Sequence, residues 1–288
     1  ALDEDDISDM FLENLKAATP WVLKKINIAI LQEFARLDHS YHLLHIATHL
    51  SNLLMVSEQV TVRLSAGAAL LRITPLLSHD QRNEIAVELY RGLQTGQQEF
   101  SKYIPDFLGQ LCLYLPPVLL EERLLELEES LCSPNSSIAA SAVSTVGVLY
   151  EQYDAYRERF KEEDKAFRLR RERLLGMLLK GLAAFRSEVC HEALLVLGNK
   201  VFGSERLGGH EKRRAFTLAA KKILFFLHED SGDDLTFFYR TAALSRIYRF
   251  VTAQELQRGP FQLQERERVA FFPGTFDPFT LSHKEIVR

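Results

Sequence analysis

The residues best suited to do chemistry lie together at the end of the chain, where residues 269–288 read VAFFPGTFDPFTLSHKEIVR. Val269-Ala270-Phe271-Phe272 is a short apolar run with charge on one side and Pro273-Gly274 on the other. That pattern predicts a buried strand of a parallel sheet. Helical character resumes from Ser282 to Arg288. The predicted order is strand, glycine-bearing loop, helix start. Such an order presents free backbone N–H groups and the positive end of a helix dipole to an anion. His283, in the first turn of that helix, adds a donor that can carry charge.

Gly274-Thr275-Phe276-Asp277-Pro278, followed by Thr280-Leu281-Ser282-His283, resembles the signature of the nucleotidyltransferase superfamily. There the motif is GTFDP followed by His-x-Gly-His or Thr-x-Gly-His. With proline before the glycine and Thr280 at the first position of the second half, this run is similar to phosphopantetheine and nicotinate-mononucleotide adenylyltransferases. The cytidylyltransferases are close relatives. The resemblance covers about 20 of 288 residues, at fixed spacing. It implies that an acceptor phosphate attacks the α-phosphorus of a nucleoside triphosphate in line. Pyrophosphate leaves, Mg²⁺ accompanies the nucleotide, and no covalent intermediate forms. Catalysis would then be positioning and charge stabilisation.

The same resemblance implies the roles of individual residues. His283 would bind the triphosphate and stabilise it in the transition state. Thr275 would sit where acceptor and nucleotide meet, and the backbone of Thr275 and Phe276 would approach the phosphates. Thr280 stands where many relatives place the first histidine. Gly274 permits the tight turn and close approach. Asp277 and Pro278 shape the loop. Ser282 departs from the pattern, since glycine there lets the nucleotide lie against the helix start. A serine can instead cap that helix or contact a phosphate. The implied catalytic residues are His283 and Thr275, and Gly274, Thr275, Phe276, Thr280, Ser282 and His283 form the nucleotide-binding set.

The superfamily fold also needs further strands and helices, and a second motif of the form Ser-Ser/Thr-x-x-Arg. Ser245-Arg246 lies in an apolar helical stretch without the rest of that pattern. The expectation is therefore that these 288 residues are an N-terminal piece of a longer nucleotidyltransferase, inert by themselves.

The elements ahead of this motif read as helical. From about Ile7 to Thr252 apolar residues recur at helical spacing, as in Ile26, Ile30, Phe34 and Leu37, or Leu218, Ile223, Phe226 and Leu227. Proline and glycine fall mostly between the periodic runs, which predicts roughly ten to thirteen helices of ordinary length. A weak repeat is visible. Ala66-Gly67-Ala68-Ala69-Leu70-Leu71 is echoed 76 positions later by Ala142-Val143-Ser144-Thr145-Val146-Gly147. Ala193-Leu194-Leu195-Val196-Leu197-Gly198 comes after 51 more, the excess matching the charged insert Arg157 to Arg173. Between the first two, Glu99 to Leu115 offers a helix interrupted by Pro105. The pattern resembles a HEAT-type or armadillo-type array, in which small residues let stacked helices approach. Gly203 to His210 and His228 to Asp234 read as turns, and Asp233 or Asp234 can cap the next helix. Gln254 to Arg268 is polar and holds Gly259-Pro260. The predicted organisation is a HEAT-like all-α domain over 1–253, a linker over 254–268, and the first strand, loop and helix of an α/β nucleotidyltransferase domain over 269–288.

Three further groups carry reactive side chains. His39, His42, His45 and His49 fall within an arc of about 120° on a helix. Pairs three and four apart can share Zn²⁺. No carboxylate or histidine from elsewhere is identifiable, so the favoured expectation is a face that bonds to neighbours or water, with no metal. His79-Asp80 is similar to the dipeptide of metal-dependent phosphohydrolases, but their other ligands are not evident. A loop that opens a helix is the better reading. Glu158 to Arg173, and Lys212, Arg213, Arg214, Lys221 and Lys222, read as solvated helix faces rather than RNA or phosphate contacts.

Composition limits the remaining classes. Net charge is −4, so no global basic field recruits nucleic acid. Cys112, Cys132 and Cys190 show no paired spacing and read as reduced thiols of a cytosolic protein. The opening ALDEDDISDM is acidic and unlike a secretory signal, and no apolar run is long enough for a bilayer. The expected partners are a nucleoside triphosphate, a small phosphate-bearing acceptor and a protein on the helical array, with neither nucleic acid nor membrane. The alternative is a helical interaction scaffold without catalysis.

Overall fold

The computed structural model describes residue 15 and residues 19–37, 42–96, 102–184 and 187–228. Among these the chain is all-α, with ten α-helices and no strand. They are α1 (Trp21–Leu37), α2 (Leu43–Val56), α3 (Val60–Ile73), α4 (His79–Gln94), α5 (Ile104–Cys112), α6 (Pro117–Leu131), α7 (Ser136–Phe160), α8 (Asp164–Leu182), α9 (Ser187–Val196) and α10 (Gly209–His228). A 3₁₀ turn, Thr74–Leu76, comes after α3, and a π-helical turn, Leu197–Phe202, after α9. No helix of the described residues is long and apolar enough to cross a membrane.

Local chemistry explains several boundaries. Ser78 and Gln81 form a reciprocal capping box at the start of α4, at 3.2 and 2.9 Å. His79 and Asp80 therefore occupy the first turn of a helix, as the sequence suggests. Asn135 caps α7 by accepting from the Ser137 N–H at 2.9 Å. Lys161 ends α7 in the left-handed conformation, φ 50° and ψ 46°. Pro105 lies in the first turn of α5 and does not interrupt it. A missing N–H costs nothing at that position, because the first-turn N–H groups have no helical partner anyway.

Every substantial contact among the described helices joins elements no more than three helices apart along the chain. α3 packs on α1 and α2, α5 on α4, and the 25-residue α7 lies against α5, α6, α8 and α9. The small-residue positions noted in the sequence sit at these crossings, with Ala66, Ala142 and Ala193 all fully buried. Gly109 of α5 is needed for close approach, since a Cβ there would stand 2.7 Å from Cβ of Val148 and 3.0 Å from the Thr145 carbonyl oxygen. Polar links join helices as well. Tyr90 of α4 donates to the Glu126 carbonyl of α6 at 2.7 Å and lies 2.8 Å from Ser130 Oγ.

The spacing of Ile26, Ile30, Phe34 and Leu37 marks α1 correctly but not its buried face. That face is Asn27, Ile28, Leu31 and Ala35, while Ile26 and Leu37 are 50% and 81% exposed. The linker 254–268 and the strand-loop-helix segment 269–288 lie outside the described residues.

Candidate functional site

The histidine group of the sequence falls on α2, apart from His39, which lies outside the described residues. Leu43, Ile46, Ala47, Leu50, Leu53 and Leu54 turn into the core. His45 is exposed and His49 half-buried on another side of the helix. Their Nε2 atoms are 3.1 Å apart and their ring centroids 4.8 Å apart. Burial, and secondarily the charge of His45, lower the pKa of His49. His42 precedes the first turn and is half-buried. Among the described residues no three His, Cys, Asp or Glu side chains converge as a metal site.

The expectation of a solvated face over Glu158 to Arg173 holds at Glu158, Lys161, Glu163, Asp164, Lys165 and Arg168, which are exposed, while Arg159 bonds the Leu113 carbonyl and lies 3.7 Å from the Tyr114 ring. It fails at Arg170, Arg171 and Arg173, which turn toward neighbouring helices. Arg173 donates from Nε and Nη2 to both oxygens of Glu128, at 2.9 and 3.1 Å, and also bonds Glu121. The hydrogen bonds from Arg173 hold the Glu128 carboxyl below its ordinary range, and those to Glu128 raise the Arg173 guanidinium. Arg170 pairs with Glu162, which also accepts from Tyr153 Oη at 3.1 Å. Arg171, 8% exposed, lies 5.1 Å from the Tyr150 ring and 5.4 Å from the Phe167 ring, and pairs with Asp154 at 3.2 Å and Glu211 at 2.5 Å. Each finds its carboxylate on a different element: Arg173 on Glu121 and Glu128 of α6, Arg170 on Glu162 and, at 3.8 Å, Glu121, and Arg171 on Asp154 of α7 and Glu211 of α10. With carboxylates already against all three arginines, this cluster joins helices and is not an anion cradle.

Of the second basic group, Arg213, Arg214 and Lys221 are exposed on α10, and Arg214 meets Glu172 of α8 at 2.5 Å. Lys200, in the π-helical turn, reaches Asp106 of α5 at 3.1 Å and Glu151 of α7 at 3.8 Å. The three cysteines form no disulfide with one another. Cys112 and Cys190 are buried and Cys132 is exposed. Burial pushes the Cys112 thiol up to about 12, leaving it protonated and unreactive at neutral pH.

The outer side of α1 is a surface that residue spacing does not foretell. Trp21, Val22, Leu23, Ile26, Ile30 and Leu37 leave this helix apolar on its exposed side as well as its buried one. The signal is present in WVLKKINIAILQEF, whose apolar residues cover more than one stripe. The residues proposed for nucleotide chemistry, Gly274, Thr275, Phe276, Thr280, Ser282 and His283, lie outside the described residues.

No protein-family model matches this chain, and no curated protein matches it. Among solved structures, the crystal structure of an engineered protein aligns over 85% of this chain and 97% of its own, at 16% identity and a TM-score of 0.32. A likeness of that size assigns neither fold nor function.

Proposed function

We propose that the chain is the helical accessory region and phosphate-binding loop of a nucleotidyltransferase. The reaction moves an adenylyl or cytidylyl group from an Mg²⁺–nucleoside triphosphate to a small phosphate-bearing acceptor in NAD or other coenzyme biosynthesis. The observation that carries this reading is the fixed spacing of Gly274-Thr275-Phe276-Asp277-Pro278 and Thr280-Leu281-Ser282-His283. An acceptor phosphate oxygen attacks the α-phosphorus, and the bond to the α–β bridging oxygen breaks. Its electron pair leaves with pyrophosphate. His283 stabilises charge on the triphosphate, and Thr275 aligns acceptor with nucleotide. Gly274, Phe276, Thr280 and Ser282 complete the loop that holds the phosphates. Scattered cysteines that form no disulfide suit a cytoplasmic protein.

Residues 1–253 form, on this reading, a HEAT-like or armadillo-like array with an accessory role. Contacts limited to near neighbours and buried small residues at the crossings support it. The test measures pyrophosphate release from MgATP and MgCTP by the full product of the open reading frame, with nicotinate mononucleotide and phosphopantetheine as first acceptors. Release that falls about 100-fold or more in His283→Ala is the expected result. Release unaffected by that substitution, or none with any phosphate-bearing acceptor, overturns the assignment.

The exposed apolar side of α1 favours a second reading, a protein-interaction scaffold. It predicts a partner whose capture is lost in Ile26→Glu with the fold intact.

A further inference from the structure

We infer that His45 and His49 form a two-point clamp for an exchangeable transition-metal ion of the imidazole-preferring class, Cu²⁺, Ni²⁺ or Zn²⁺. The inference is independent of nucleotidyl transfer. It starts from α2, whose leucine-rich face is held in the core while His45 and His49, four residues apart, stand on successive turns away from it. A helix anchored along one side fixes the separation of the two Cα atoms. The rings then need to choose only their rotamers.

The rotamers they hold bring the two Nε2 atoms within 3.1 Å of each other, with the rings inclined at 55°. Two nitrogens bound to one ion at about 2.0–2.1 Å would be about 3.3 Å apart at a tetrahedral angle, and about 2.9 Å apart at a right angle. The observed separation falls between the two. Without an ion, one Nε2–H donates to the lone pair of the other, so only one proton fits between the rings. An ion replaces that proton by taking both lone pairs, with each ring carrying its hydrogen on Nδ1. Neutral imidazole nitrogens select Cu²⁺, Ni²⁺ and Zn²⁺ over Mg²⁺ or Ca²⁺, which want oxygen.

Two protein ligands leave the other positions to water or a small exogenous donor. Such an ion is exchangeable, unlike one in a closed structural site. Bound across two turns, it staples α2 and adds stability by mass action.

The experiment uses the tag-free, chelator-treated chain, titrated with NiCl₂ and CuCl₂ by calorimetry and then by thermal melts. With one equivalent of Cu²⁺, electron paramagnetic resonance reports the coordinated nitrogens. The expected result is one ion per chain, a Tm that rises with metal, and a two-nitrogen signature. In the double variant H45Q/H49Q affinity falls tenfold or more and the signature disappears, while far-UV circular dichroism matches the parent. His42→Gln and His79→Gln keep both affinity and signature. Undiminished affinity in H45Q/H49Q overturns the clamp, as does the absence of stoichiometric binding in the parent. A loss confined to His42→Gln overturns it too.

Discussion

Helices α1 and α8 divide polar and apolar residues in opposite ways. On α1, Trp21, Val22, Leu23 and Ile26 face outward, and Asn27 is buried among aliphatic residues. On α8, Arg171 is buried with Leu174, Leu175 and Leu178, while Leu169 is 58% exposed. The periodicity of each segment identifies the helix in both cases. What decides the buried side is the neighbour. α8 has carboxylates on its neighbours, Asp154 of α7 and Glu211 of α10 against Arg171 and Glu121 and Glu128 of α6 against Arg173, so charge is admitted to the interface. For α1 the substantial contacts are with α3 and α2 only, so a second apolar stripe, beside exposed Lys25, Glu33 and Arg36, stays uncovered among the described residues.

Two isoleucines of α1 separate its covered side from its open side most sharply. Ile28 is 2% exposed and Ile26 is 50% exposed. Ile28→Ala should cost about 3 kcal/mol, through lost transfer energy and a cavity. Ile26→Ala should stay within about 0.5 kcal/mol, because its side chain is already half in water. Urea unfolding of the two variants checks this at unchanged m. Equal losses would mean that the outer side of α1 is covered in solution.

The charged region offers the next largest effect. Glu162 accepts from Arg170 and from Tyr153 Oη, and its side chain is only 6% exposed. Removing it in Glu162→Ala leaves a buried phenol without its acceptor and a partly buried guanidinium with only the longer, 3.8 Å pairing to Glu121. Since Arg170 keeps 20% of its exposure, the expected loss is about 2–3 kcal/mol, below that of a fully buried pair. Arg168→Ala, on an exposed position of the same helix, should change little. A Glu162→Ala loss no larger than that of Arg168→Ala would show that water already serves these groups.

Helix existence was legible in this sequence because the 3.6-residue period survives even where the face is ambiguous. The face was not legible at α1, since WVLKKINIAILQEF offers apolar residues in several directions. The inward turn of Arg170, Arg171 and Arg173 was not legible either. It depends on carboxylates from 8 to 52 residues away, from Glu162 against Arg170 to Glu121 against Arg173, which spacing does not bring together. The spacing of His45 and His49 was readable, but the meeting of their Nε2 atoms is a rotamer property that spacing does not encode. The loop proposed to bind nucleotide is the reverse case. Its support is wholly in the order of residues 274–283, which lie outside the described residues.

Glycine tests the same lesson at the smallest scale. Gly147 lies inside α7, where an added Cβ would collide with the side chain of Val196 on α9. Gly176 lies inside α8 with nothing within 4 Å of its would-be Cβ. Alanine is the better helix former by about 1 kcal/mol, so propensity alone predicts that both substitutions stabilise. At position 176 nothing opposes that gain, and Gly176→Ala should stabilise by about 0.5–1 kcal/mol. At position 147 the collision forces α7 and α9 apart or drives Val196 from its rotamer, a cost of about 1–3 kcal/mol. The two effects there nearly cancel or leave a net loss. Pairing Gly147→Ala with Val196→Ala removes the collision and should recover part of the lost stability, a coupling that a double-mutant cycle measures directly. A cycle with no coupling would place the α7–α9 crossing farther apart in solution than the buried Ala142 and Ala193 indicate.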